Sequence, residues 1–196
     1  MFRGGQIGWL KRLEGTSGAQ LLEFALSLPF LAVIVVGIID FGQAYNTKHI
    51  MVNAAREAAR IVVSNPLSDS SCPTGWNTSS PFAGTPCTIT AAADDVGQYL
   101  NNAGLTLAAC FSSSAPTAAG VVWTYDCKNG VTLTINKGYV VAGGAGGVVS
   151  STQVTLSYPF TWTFGNVIGL LVPGATGPTG KQTLTTHVVM ANMVLD

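Results

Sequence analysis

Hydrophobic and polar positions divide this chain into stretches with different periods. Residues 1–18, MFRGGQIGWLKRLEGTSG, are mixed and basic, with Arg3, Lys11 and Arg12 against one acid, Glu14. From Phe24 to Ile39 sixteen residues pass without a charge, and Ala19–Leu22 lengthens the apolar run further. A helix of ~20 residues spans the ~30 Å hydrocarbon core of a bilayer. Apolar residues then recur at spacings of three, four or seven, at Phe41, Tyr45, Val52, Ala55, Ala59 and Val62. Asn65-Pro66 ends the pattern, because the residue before a proline avoids the α region. One helix over 19–64 is predicted, about 69 Å long at 1.5 Å per residue, with its first half (19–40) in lipid. Pro29 removes a backbone hydrogen bond and predicts a kink unless neighbours compensate. Ala54, Ala55, Ala58 and Ala59 are small enough for close approach, either of another helix or of the chain's own head domain.

Past residue 65 the period changes. Residues 66–88 read as a loop rich in Ser, Pro, Thr and Gly. A short helix is predicted over Thr90–Asn102, with Thr90 as N-cap, Val96, Tyr99 and Leu100 as its apolar face and Gly104 as its stop. From Leu105 onward short strands are predicted at 105–110, 120–126, 130–136, 138–142, 148–158 and 183–193. Val131, Leu133 and Ile135 alternate with Thr132 and Thr134, as in a half-buried antiparallel strand, and Asn129-Gly130 is a hairpin signal. Val154, Leu156 and Tyr158 continue as Phe160, Trp162 and Phe164, with Pro159 confining that stretch to an edge or a break. This aromatic face reads as a core face; a glycan or a partner subunit is the alternative occupant. The fold class is α+β: a leader (1–18), a long N-terminal helix (19–64), and a disulfide-stapled antiparallel β-sheet head (65–196).

Charge and cysteines place the head. Lys plus Arg equals Asp plus Glu, so no global field favours nucleic acid. Arg3, Lys11 and Arg12 lie on the N-terminal side of the apolar run, and the positive-inside rule then puts residues 1–18 in the cytoplasm and everything after Asp40 outside. Cys72, Cys87, Cys110 and Cys127 all lie on that outer side. They form no metal-ligand spacing, and an oxidising compartment favours disulfides. Three connectivities are open. The local pairing, Cys72–Cys87 and Cys110–Cys127, is expected because each bridge then clips a loop, at roughly 3 kcal/mol apiece in the chain-entropy model.

Glu23 is out of place in a plain anchor. An acid at mid-membrane costs roughly 2.5 to 3.5 kcal/mol on translocon scales, less near the end, and it calls for a partner. Cleavage after Gly18 would supply one. Ala19 would then carry a free amine and Glu23 would be the fifth residue, an i, i+4 pair on one helix face. The carboxylate could pair with its own amine or with that of a neighbouring subunit.

Gly18-Ala-Gln-Leu-Leu-Glu23-Phe24 followed by the apolar run resembles the prepilin (class III) processing site of type IV pilin relatives. More narrowly, GAQLLEFALSLPFLAVIVVGIIDFGQAYNTKHIMVNAAREAAR resembles the TadE-like family, minor pilins or pseudopilins of the tight-adherence (Tad/Flp) pilus machinery. Glu23-Phe24-Ala25-Leu26, Pro29, the exit Gly37-Ile38-Ile39-Asp40-Phe41-Gly42 and the Ala-rich Asn53–Arg60 carry the likeness. The C-terminal VTLSYPFTW and TLTTHVVMANM are more loosely similar to the end of such proteins. The resemblance implies a single-pass bacterial inner-membrane protein with its head in the periplasm or on a pilus. It also implies a prepilin peptidase that cuts between Gly18 and Ala19, and partner pilin subunits docked through the helix. The role implied is in pilus assembly and adhesion, with Glu23, Phe24 and Pro29 as the assembly motif.

Two other classes compete: a signal-anchored envelope protein working alone, and a carbohydrate- or partner-binding β module released after Gly42-Gln43-Ala44. Enzyme motifs fail. Gly174–Lys181 has the wrong glycine spacing for a phosphate loop and no Ser or Thr after Lys181. Gly143–Gly147 reads as a hairpin connection, Asn77-Thr78-Ser79 as a chance sequon, and Asp94/Asp95 as a solvated helix face. His49 and His187 have no acid or Cys at useful spacing. No enzyme, cofactor or metal is expected.

Overall fold

A computed structural model describes residues 16–64, 85–143, 147–165, 169 and 181–192. The leader up to residue 15, Cys72, the Asn77–Ser79 sequon and the glycines of 174–180 lie outside the described residues. The elements are helix α1 (Thr16–Ser64), helix α2 (Cys87–Asn102), a 3-10 helix (Thr106–Ser112), and strands β1 (Thr117–Ala119), β2 (Val122–Asp126), β3 (Thr132–Ala142), β4 (Val148–Thr161) and β5 (Lys181–Ala191). The chain is α+β, with one long apolar N-terminal helix, an antiparallel five-stranded sheet and a Cys110–Cys127 disulfide. It divides into two compact units: 1–42 with 162–179, and 43–161 with 180–196.

The second unit holds the sheet, a meander in the order β1-β2-β3-β4-β5 with every neighbour antiparallel. Side chains alternate across a strand, so one face of each of β2–β5 turns to the core, while β1 is exposed throughout. On β4 this sets Val154, Leu156, Tyr158 and Phe160 inward and Thr155 and Ser157 outward. The aromatic run up to Phe160 is therefore a core face. Predicted strands 130–136 and 138–142 are one strand, β3, whose register shifts between Asn136 and Tyr139. Such a bulge lets a strand continue past a local irregularity. Pro159 pairs only with Thr183 on β5, because β3 pairs no further along β4 than Ser157. That is the edge position that a residue without an N–H requires. The β2–β3 turn places Gly130 at φ 94° against the Pro159 ring, and Asn129 Oδ1 accepts the Val131 amide at 3.1 Å.

Three expectations are corrected. Residues 105–110 are not a strand: Thr106–Ser112 is a 3-10 helix. Leu105, Ala108 and Phe111 turn inward three apart, the repeat of a 3-10 helix and not of a strand, with Cys110 packed beside them. Helix α2 starts at Cys87, with Pro86 in the cap position, and Thr90 falls in its first turn with its hydroxyl directed back to the Pro86 carbonyl at 3.4 Å. A proline needs no amide partner at a helix start, so the helix begins a turn earlier than the threonine suggests. The buried stripe of α1 in the second unit is Ala44, Thr47, Met51, Ala54, Ala55, Ala58, Ala59, Val62 and Val63; Tyr45 is exposed and meets His49 edge-on.

That stripe shares one core with Ile89, Val96 and Leu100 of α2, Phe111, Tyr125 of β2, Leu133 and Ile135 of β3 and Leu156 of β4. The four alanines thus serve the chain's own head, where their small side chains let the helix backbone come close. Lys48 of α1 donates to the Thr185 carbonyl of the edge strand β5. Cys110 and Cys127 are joined, with Cα atoms 5.6 Å apart. Cys87 is also disulfide-bonded, to a partner outside the described residues.

Candidate functional site: the apolar helix and its exit

Helix α1 begins in the leader and runs unbroken through the apolar segment. It contains a stretch of mean hydropathy 2.5, long and apolar enough to cross a membrane, of which only 6% of residues are buried. Leu21, Leu22, Phe24, Leu26, Phe30, Leu31, Ile34, Val35, Ile38 and Ile39 are all exposed. In water such a surface would be unfavourable by roughly 25 cal/mol per Å² of apolar area, so it needs an apolar environment. The helix is apolar on nearly all sides, as a membrane span is and as the amphipathic helix of a soluble domain is not.

The sequence-predicted site residues Gly18, Ala19, Glu23, Phe24 and Pro29 lie on this one helix. Gly18 has nothing within 4 Å of where a side chain would start, and Ala19, Glu23 and Phe24 are exposed. Ala19 and Glu23 occupy i and i+4, on the same helix face. Pro29 sits inside the helix without ending it. The loss of one backbone bond leaves the rungs on either side in place. Two residues upstream of Pro29, the Ser27 hydroxyl donates to the Glu23 carbonyl one turn away at 2.9 Å.

At the other end of the apolar run lies a group whose role the residue pattern did not reveal. Asp40 is 2% exposed. Its Oδ2 accepts the amides of Thr163, at 2.7 Å, and of Phe164, at 2.5 Å. One turn earlier, Gly37 is buried against the Phe164 ring, where a Cβ would come to 3.2 Å of the ring carbon. Phe41 meets Trp162 edge-on, with ring centroids 5.2 Å apart. The clamp thus joins the exit of the apolar helix to the segment that follows β4. A signal was present: a lone acid closing an apolar run, and aromatic residues, Trp162 and Phe164, that carry the strand alternation on past Thr161. Nothing in the sequence paired the two.

The candidate chemistry elsewhere is not assembled. No group of three His, Cys, Asp or Glu side chains that could hold a metal occurs among the described residues. His49 and His187 are exposed. Asp94 and Asp95 are half-buried on α2 and not fully solvated, and one Asp95 oxygen is buried without a hydrogen-bond partner. Burial, and then the nearby Glu57 carboxylate, raise the Asp95 acid above its usual range. Burial likewise pushes the Tyr125 hydroxyl up to about 12, with Thr90 drawing it down and Asp94 adding to the rise.

Comparison with known proteins agrees with the helix. Neither the curated proteins nor the solved structures yield a match. The family model described as TadE-like protein matches residues 18–60, from the glycine of the predicted cleavage site through the alanine-rich part of α1. The match ends before the head. Over the apolar helix and its exit, residues 18–60 are thus similar to TadE-like proteins.

Proposed function

We propose that this chain is a minor pilin or pseudopilin of the Tad/Flp pilus system. A prepilin peptidase on the cytoplasmic face would cut between Gly18 and Ala19. The freed Ala19 amine and the Glu23 carboxylate, one turn apart, would then set the register of α1 against neighbouring pilin helices. The observation that carries this reading is Glu23 on the open face of an apolar helix, inside the segment that the TadE-like model matches. An exposed carboxylate in an apolar helix needs a cationic partner within the membrane, and a new N-terminus is the one that the motif supplies. In low dielectric that pair attracts far more strongly than in water. The head would be carried on the outer side of the inner membrane or at the pilus, in service of assembly and adhesion. The peptidase performs the chemistry, and this chain is its substrate.

Intact mass and N-terminal sequencing of the protein isolated from its native membrane test the proposal. A chain beginning at Ala19 is expected. One that retains Met1 would mean a lone anchor, and one that begins at Tyr45 a released module; either result ends the pilin reading. Glu23→Leu separates the two roles of the helix: it should leave membrane insertion intact and abolish incorporation into the assembly.

A further inference from the structure

The clamp at Asp40 fixes more than a loop. A buried carboxylate that accepts two backbone amides holds Thr163 and Phe164 at one height on α1, and Gly37 receives the Phe164 ring one turn deeper. Gly37 lies inside the apolar run, about 4.5 Å below Asp40 along the helix axis at 1.5 Å per residue. If the run from Ala19 to Ile39 fills the hydrocarbon layer, Phe164 sits at the edge of that layer, and Trp162 and Phe41 sit at the headgroup level. Phe41 is 64% exposed, and Ile38 and Ile39 beside it are also open. An indole ring favours this zone because its N–H meets carbonyls and water while the rest of the ring stays dry. Asp40 fits the same depth, since its charge is turned onto backbone amides and away from lipid.

We propose that the Trp162–Phe164 turn, clamped to α1 by Asp40, is a second membrane contact that seats Trp162, Phe164 and Phe41 in the bilayer interface at the C-terminal end of the span. The partner is the lipid surface itself. The turn is continuous at Gly37 with the exposed apolar face of α1, which lipid covers where the helix crosses the bilayer. The inference rests on α1 crossing the bilayer, and goes beyond it by giving the segment after β4 a lipid-facing role.

The test uses the full chain in phospholipid vesicles whose acyl chains carry bromine just below the carbonyls. The emission of the native chain minus that of Trp162→Phe isolates Trp162. Ile34→Trp, added to the Trp162→Phe chain, reports on the span by itself. The expected result is that bromine removes roughly half or more of the Trp162 emission, as it should for a ring held at the interface. Phe41→Trp in the same Trp162→Phe chain is a second reporter and should be quenched alike. If the Ile34→Trp reporter is quenched and Trp162 is not, the second contact is wrong and the span stands, whichever way Phe41→Trp reads. If the Ile34→Trp reporter also escapes quenching, the span reading fails and takes this inference with it.

Discussion

Asp40 accepts the Thr163 amide at 2.7 Å across 123 residues of sequence, and the same oxygen takes the next amide, that of Phe164. Hydrogen bonds to a charged group are worth about 1.5–3 kcal/mol each when they are not open to water. They fix the Thr163–Phe164 backbone beside the helix, where the Phe164 ring also packs on Gly37 and Trp162 meets Phe41. Asp40→Ala should therefore raise amide exchange of the Thr163 and Phe164 peptides by roughly 10- to 100-fold, with β3 and β4 unaffected. Hydrogen-exchange mass spectrometry reads this, and unchanged protection at 163–164 would mean that the clamp is not what orders the turn.

The alanines of α1 are predicted to be packing residues of the head and not a docking stripe. Ala58 is fully buried in the core that α2 and the sheet share. Ala58→Leu should cost about 1–3 kcal/mol through overpacking. Denaturant unfolding of the detergent-solubilised chain checks it. If stability held while assembly failed, the alanines would instead face a neighbouring subunit.

Asp95 gives the head a pH dependence with a definite sign. Burial, then Glu57, raise its folded-state acid above the ordinary 3.8. The folded chain thus binds the proton more tightly than the unfolded one, and stability falls as pH rises through the interval from the ordinary to the raised value. Asp95→Asn removes that loss. The variant should melt above the native chain at pH 7 and level with it at about pH 3, where the native acid is protonated in both states. Equal melting temperatures at both pH values would show that Asp95 is solvated on folding.

The Cys110–Cys127 bridge ties the end of the 3-10 helix to the β2–β3 turn over a sequence separation of 17. Closing a loop of that size contributes roughly 3 kcal/mol by restricting the unfolded chain. Replacing both cysteines with serine should lower the unfolding free energy by about that much and leave the native sheet unchanged by circular dichroism. A loss well under 1 kcal/mol would mean that residual structure in the unfolded chain already brings the two ends together.

Much of this architecture could be read from residue order. The apolar run, its length and its basic flank specify a helix fit for a membrane, because hydrophobicity over ~20 residues is a local property. The Thr/Val alternation of 131–136 and Asn129-Gly130 specify a strand and a hairpin for the same reason. The motif from Gly18 to Glu23 is likewise local, and the family match begins within it. The readings that failed were the ones that needed a neighbour. Residues 105–110 look like a strand until Ala108 and Phe111 are seen turning inward with a period of three. Phe41 and Tyr45 fit a helical stripe as well as Ala44 and Met51 do, and only the position of the sheet and α2 decided which was buried. Asp40 shows the division most clearly. The sequence alone marked it as the acid that ends the apolar run; that it captures the backbone of Thr163 and Phe164 was decided by tertiary structure, because a hydrogen bond between residues so far apart depends on where folding brings the chain back, which no local pattern encodes.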